Sequence, residues 1–293
     1  MPEGDTVWLA GRNLDRALAG QVLTTADLRV PRYATAPLVG RTVLDVTSVG
    51  KHLLFRFSGG ITLHTHFRMD GSWHLYRPGE RWQGGAAWQI RVVLGTADWA
   101  AVGYRLPVID LVETADEARL VGHLGPDVLG PDWDPVLARA NLAAQGDRAI
   151  GAALLDQSVL AGLGNLYRTE VCFLAGVSPW TAVSAVPDLE RVVDLSHRLL
   201  DLNKERSLQV STGDSRRGRW HHVFEQRRCL RCGGPVSTNL QDHDGRLVEA
   251  TTGSGRQRLT YWCRHCQRGP SPSNRSTRDL LGPRTVGRTR YAP

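Results

Sequence analysis

Pro2 and Glu3 place a secondary amine beside a carboxylate once Met1 is removed, as initiator methionine normally is before a small second residue. A terminal amine titrates at about 8, far below a lysine side chain, so a useful fraction is a free nucleophile at neutral pH. Such an amine can attack a sugar aldehyde carbon and form an iminium, an electron sink for eliminations next to it. Glu3 can carry the protons. On these letters alone an ordinary helix start is much the better reading, because Pro and Glu are common second and third residues and initiate helices well. A second chemical signal lies in four of the five cysteines, Cys229-Leu-Arg-Cys232 and Cys263-Arg-His-Cys266. Each two-residue spacer lets one turn offer two thiolates to the same ion, and two such turns complete a tetrahedral Zn²⁺ shell. A closed four-thiolate shell has no position for water, so one structural zinc holding a ribbon is expected. Disulfides or a redox pair are the competing readings. Cys172 sits in an apolar helical stretch and reads as core. His64 and His66 alternate on one strand, without a carboxylate or third histidine at a suitable local spacing. They read as core or ligand-facing residues. Gly162-Leu-Gly164 lacks the third glycine and the preceding strand of a nucleotide loop.

The elements that must position these groups follow from periodicity. Residues Asp5–Ala19 carry Val7, Ala10, Leu14 and Leu18 at helical spacing, with Asp5 or Thr6 as cap and Gly20 as stop. From Gln21 to about Val112 short β-rich runs alternate with glycine-containing turns: Val43–Val49, His52–Phe57, Ile61–Phe67, Ser72–Tyr76, Trp88–Leu94 and Val108–Val112. Such spacing predicts a β-sandwich. Helical periods follow at Asp116–His123, Pro135–Ala143, Ile150–Leu155, Leu166–Ala175 and Leu189–Leu202, then an Arg-, Gly- and Cys-rich section from about Gly213. The Pro/Ser/Arg-rich end from about Arg268 has little to bury and is expected to be disordered. At 293 residues with 41% hydrophobic content the chain can form two cores without disulfide support. No run of 18 apolar residues and no basic-then-apolar start occurs, so neither a membrane span nor a signal peptide is expected; the reading is a cytoplasmic protein. Residues 1–203 hold 18 Lys and Arg against 22 Asp and Glu, a net −4, whereas residues 204–293 hold 18 against 7, a net +11. A basic module on a mildly acidic body points to a polyanion, most simply nucleic acid.

Four motifs occur in order: Pro2-Glu3-Gly4, Gly50-Lys51-His52, Leu154-Leu-Asp-Gln-Ser-Val-Leu-Ala-Gly-Leu-Gly-Asn165 and Tyr261-Trp-Cys-Arg-His-Cys266. Together they closely resemble the endonuclease VIII branch of the formamidopyrimidine/endonuclease VIII DNA glycosylases, from Pro2 to about Gln267. The Gly4-Asp5-Thr6 continuation is similar to endonuclease VIII proteins, which implies oxidised pyrimidines as substrates. The resemblance implies an α+β multidomain fold: an N-terminal catalytic β-sandwich with a leading helix over 1–115, a helix-two-turn-helix domain over 116–212, a zinc ribbon over 213–268 and a disordered basic tail over 269–293. It also implies a bifunctional glycosylase and abasic-site lyase of the bacterial type, a nucleoid-associated monomer whose partner is damaged DNA.

Residue roles carry over from the same resemblance. Pro2 is the nucleophile, Glu3 the proton shuttle, and Lys51 a phosphate contact that assists elimination. Arg258, five residues before Cys263, is the ribbon arginine that grips phosphate, with Arg256 its rival. Residues around Gln241–Gly255 look like an insertion. Asn165 adds a contact from the helix-two-turn-helix turn. Arg68-Met69-Asp70 aligns with the loop that fills the gap left by the rotated nucleotide, Met69 being the wedge. His123 falls where the family often has a DNA-contacting arginine. Two alternatives remain at this stage: a non-catalytic damaged- or abasic-DNA-binding zinc-ribbon protein, and a zinc-ribbon adaptor that uses only the basic last third.

Overall fold

The computed structural model describes residues 2–246 and 257–272. The chain forms two compact units that interleave in sequence. One takes the described residues up to Asn141 together with 157–164 and 196–209; the other takes 142–156, 165–195 and the described residues from Val210 onward.

The elements run α1 (Gly4–Leu18), β1 (Thr25–Leu28), β2 (Val43–Val49), β3 (His52–Phe57), β4 (Ile61–His66), β5 (Ser72–Tyr76), β6 (Ile90–Gly95), β7 (Ala100–Tyr104) and β8 (Val108–Glu113). There follow α2 (Ala118–Val121), α3 (Pro135–Ala143), α4 (Ile150–Ala153), α5 (Asn165–Leu174), α6 (Leu189–Asn203), β9 (Ser237–Gln241) and β10 (Arg258–Trp262).

In the first unit two four-stranded antiparallel sheets, ordered β1-β6-β7-β5 and β2-β3-β4-β8, form a β-sandwich. The period of two decides which face each residue takes. Leu53, Phe55 and Phe57 of β3, Leu63 of β4 and Ile109 of β8 point into a core shared with Leu28, Val92, Leu94 and Ala101 of the other sheet. Val7, Leu14, Ala17 and Leu18 of α1 complete that core. The alternate residues of the same strands, His52, Arg56, Thr62, His64, His66 and Asp110, lie on the sheet's other face. Register sets His52 opposite His66, and His64 opposite Asp110. There Arg56 pairs with Glu117 and Asp45, each at 2.8 Å.

Two strands of the sandwich lie outside the runs read from the sequence, β1 and β7. The latter is Ala-Ala-Val-Gly-Tyr, poor in the branched and aromatic residues that mark strands. Near Trp88 the strand starts late because Ala87–Gln89 forms a 3₁₀ turn. The expected helix over Asp116–His123 is a 3₁₀ turn at Thr114–Asp116 and the single turn α2.

In the second unit α5 is the central mount. Arg168 and Glu170, in a stretch read from the sequence only as a helical period, are both fully buried. Arg168 donates to Asn165 Oδ1, the Gly151 carbonyl, Gln241 Oε1 and Thr260 Oγ1 at 2.7–3.1 Å, fixing β9 and β10 against the helix. The Glu170 carboxylate accepts bonds from the N–H groups of His222, Val223 and Phe224, from His222 Nδ1 and from Ser211 Oγ. Burial alone would raise its pKa, but His222, Ser211 and these N–H groups outweigh it and hold the carboxyl below the usual range. The segment read as the start of a disordered tail is partly paired: Arg268 N–H donates to the Gly176 carbonyl, and the Pro270 carbonyl accepts from Ser178. Residues beyond 272 lie outside the described part.

Candidate active site

The first unit gathers the N-terminus, the turn before β3 and the turn at 157–164. Glu3, 1% exposed, caps no helix N–H with its side chain; its Oε2 accepts the Gly164 N–H at 2.7 Å. Behind it the Gly4 N–H donates to the Gly162 carbonyl at 2.9 Å. Pro2, half-buried, immediately precedes these contacts. Lys51 Nζ donates to the Leu163 carbonyl at 2.5 Å. The Glu3 carboxylate and the Lys51 amino group are therefore held by the N–H and the C=O of one peptide group, next to the residue that would carry the amine.

This turn needs glycine at two places for different reasons. Gly162 has φ +110°, a conformation closed to residues with a Cβ. Gly164 has none to spare in space: a Cβ there would lie 2.5 Å from Glu3 Cδ. Two further side chains fix the turn. Gln157 donates to the Leu163 carbonyl at 3.0 Å and accepts the Gly162 N–H at 3.1 Å. Asp127 accepts the N–H groups of Gly50 (2.8 Å) and Leu129 (3.1 Å), tying the Lys51 turn to the 125–129 segment. Burial raises the Asp127 pKa, against the pull of those two N–H groups. Neither Gln157 nor Asp127 was singled out in the sequence, although both stand within or beside the motifs quoted, because their partners are backbone groups with no local signature.

A histidine cluster adjoins Lys51. His52 Nδ1 and His64 Nε2 are 2.7 Å apart, and His64 Nδ1 lies 3.3 Å from Asp110 Oδ2. The His52 ring also packs edge-on to His66 at 4.8 Å and to His123 at 6.3 Å. Burial, then the neighbouring His66, His64, His123 and Lys51, lower the His52 pKa to about 3. Burial, then Arg68, Lys51 and His64, lower His66 to about 4. The His52 and His66 imidazoles are therefore held neutral at physiological pH. His123 is exposed at the edge of the cluster. His66 Nδ1 accepts the backbone N–H of Arg68 at 2.9 Å. Arg68 is exposed, and Met69, 61% exposed, stands at the tip of that loop.

Asn165 and Arg258 belong to the second unit. The Asn165 amide donates to the Leu259 carbonyl at 3.0 Å and its Oδ1 accepts from Arg168, so it is turned onto β10 directly beside the exposed Arg258. Arg256 and most of the expected insertion lie outside the described residues. The sulfurs of Cys229, Cys232, Cys263 and Cys266 all lie within 4.8 Å of one another, with Cys232–Cys263 at 3.5 Å and Cys229–Cys266 at 3.9 Å. A zinc–sulfur bond of about 2.3 Å gives a tetrahedral edge of roughly 3.8 Å, so the four thiols fit one tetrahedral ion. Cys172 is buried, which pushes its thiol up to about 12, as befits a core residue.

The sandwich with its leading helix, the glycine turn holding the Glu3 carboxylate and the four-cysteine cluster occur in a chain that two family models match in succession. The model "Formamidopyrimidine-DNA glycosylase N-terminal domain" matches residues 1–105, and "Formamidopyrimidine-DNA glycosylase H2TH domain" matches residues 124–202. A Streptomyces coelicolor protein named probable endonuclease 8 2 is 56% identical over 274 residues, covering 93% of this chain and 96% of that protein. The DNA-(apurinic or apyrimidinic site) lyase Nei2 of Mycolicibacterium smegmatis is 41% identical over 91% of this chain and 99% of its own. The structure of Lactococcus lactis formamidopyrimidine-DNA glycosylase, non-covalently bound to DNA containing an abasic site, shares the fold with a TM-score of 0.72 at 21% identity, covering 92% of this chain and 100% of that one. The chain belongs to the formamidopyrimidine-DNA glycosylase/endonuclease VIII family, and these curated relatives carry endonuclease 8 and Nei2 names.

Proposed function

We propose that this protein is a base-excision-repair DNA glycosylase and abasic-site lyase that removes oxidised bases, pyrimidines above all, through a Schiff base at Pro2. The observation that carries the reading is the pairing of Glu3 and Lys51 with the two sides of one peptide group, the Gly164 N–H and the Leu163 carbonyl, directly beside Pro2.

A damaged base is unreachable inside the duplex and must be rotated out, at a cost that falls where pairing is already weak. The Pro2 nitrogen, freed by removal of Met1, attacks C1′; the glycosidic bond breaks and the base leaves with a proton delivered through Glu3. Opening of the sugar ring gives an iminium between C1′ and Pro2. Loss of a C2′ proton then drives scission of the C3′–O bond and release of the 3′ phosphate. A second elimination breaks the C5′–O bond, and water hydrolyses the iminium to restore the amine. Lys51, a point charge on a short tether, suits the phosphate that departs. Arg258 and Asn165 are assigned to phosphate contacts, Met69 to the gap left in the stack, and Arg68 and His123 to DNA contacts around it. Cys229, Cys232, Cys263 and Cys266 would hold one zinc ion, which fixes β9 and β10 and offers no open position for catalysis. The substrate places the enzyme with the chromosome, and a single chain supplies all the groups required.

Borohydride reduction with abasic duplex tests the proposal. A covalent protein–DNA adduct mapped to the N-terminal peptide is expected, and Pro2→Gly should reduce the lyase step. DNA binding without any adduct would instead identify a non-catalytic damage-binding protein.

A further inference from the structure

Arg105 joins two loops that each end in an exposed apolar side chain. Its Nε donates to the Asp70 carbonyl at 3.0 Å, and its Nη1 donates to Gln89 Oε1 at 2.9 Å. The backbone N–H of Arg105 donates to the Gln89 carbonyl at 2.8 Å. Asp70 follows Met69, and Gln89 follows Trp88, which is 81% exposed and exceeds every other large apolar side chain among the described residues. Both loops are rigid at their bases. On the first, Gly71 N–H donates to the Phe67 carbonyl at 2.9 Å and His66 accepts the Arg68 N–H. On the second, the Tyr76 hydroxyl accepts the N–H groups of Gln83 and Gly84, and Gln89 Oε1 accepts the Ala86 N–H at 3.0 Å. Arg68 and Arg105 both hold positive φ, +52° and +48°, which residues with a Cβ rarely adopt and which persists only where surroundings enforce it.

An exposed indole and an exposed thioether have no use for water, and both suit the faces of nucleobases. A single guanidinium spans their two loops, so they cannot move independently. We propose that Arg105 is a positioning residue that couples Met69 to Trp88 into one base-reading edge, Met69 entering the gap left by the extruded nucleotide and Trp88 stacking on the base left without a partner. The inference rests on the reading of this protein as a duplex-acting glycosylase with Met69 as wedge.

The test uses the full chain and a duplex in which 2-aminopurine faces a stable tetrahydrofuran abasic analogue. Binding of the wild type should quench the fluorophore by stacking on Trp88. Trp88→Ala should restore the fluorescence and lower turnover on a duplex lesion by roughly tenfold, the worth of one base–aromatic stack. Arg105→Ala should do the same, and the double variant should be no worse than either single one. Lyase activity on a single-stranded abasic oligonucleotide, which has no partner base, should stay within about twofold in all three, a result that a general folding defect would not give. Arg105→Lys should not restore quenching, because an ammonium lacks the fork that reaches both acceptors. Unchanged quenching in Arg105→Ala, or additive losses in the double variant, would overturn the proposal. A wild type that neither binds the analogue nor cleaves abasic DNA would instead remove the glycosylase reading beneath it.

Discussion

Glu3 shows how much one buried carboxylate can be asked to do. It is sealed from solvent, yet it accepts a backbone N–H and sits next to Pro2, the proposed nucleophile. The histidines near Lys51 obey the opposite logic, held uncharged by burial and by one another. Because the folded-state pKa values of His52 and His66, about 3 and about 4, lie below the ordinary 6.5, the unfolded chain binds more protons between those limits. Stability should therefore rise with pH across that window and fall as pH drops from about 6.5 towards 4. Thermal melts from pH 7 to pH 4 should show a falling midpoint, and His52→Phe should flatten the slope. An equal slope in the variant would mean that His52 is not buried in its neutral form.

At the scale of the element, the turn at 157–164 and helix α5 divide the labour. The turn arranges the reacting groups; α5 uses Arg168 and Glu170 to fix the strand that carries Arg258 and the segment around His222. Gly164→Ala separates positioning from folding. The added Cβ would meet Glu3 Cδ at 2.5 Å and Oε1 at 2.7 Å, so the carboxylate must move. A displacement of this size should lower cleavage by about a hundredfold while the melting midpoint changes little. Retained activity would show that Glu3 need not stand where Gly164 holds it.

The sequence was informative in proportion to how local each signal is. The four cysteines were legible from their spacing alone, whereas Pro2, Glu3 and Lys51 stood out only through the resemblance of the ordered motifs they belong to. The alternation of β3 and β4 likewise separated Leu53, Phe55 and Leu63 from His52, His64 and His66. Asp127 and Arg105 were not legible, since each acts on a backbone group or loop far away in the chain, and Gln157 was not because its partners are backbone groups of its own turn, which leave no mark in the letters. Arg168 and Glu170 drew no attention within the helical period at Leu166–Ala175, and only packing reveals that both are fully buried. Strand β7 escaped because its alanines and glycine make room for Trp73 and Leu106 rather than advertising a strand.

For the molecule as a whole, charge and metal go together. The last third carries the net positive charge and also the four thiols, so the part that would grip phosphate is the part a metal would stiffen. Chelation of zinc, or Cys263→Ser, should weaken DNA binding while leaving the sandwich of the first unit folded. The checks are an anisotropy titration and circular dichroism with and without chelator. Full affinity in metal-free protein would remove zinc from the account.

The Leu163 carbonyl and the Gly164 N–H belong to one rigid peptide group, so the proposed acid–base group and Lys51 share a single fulcrum. A small molecule lodged beneath that turn could disarm both at once without competing for the proline. Inhibitors of this kind would be insensitive to how tightly the lesion is held, unlike those that mimic a damaged nucleoside.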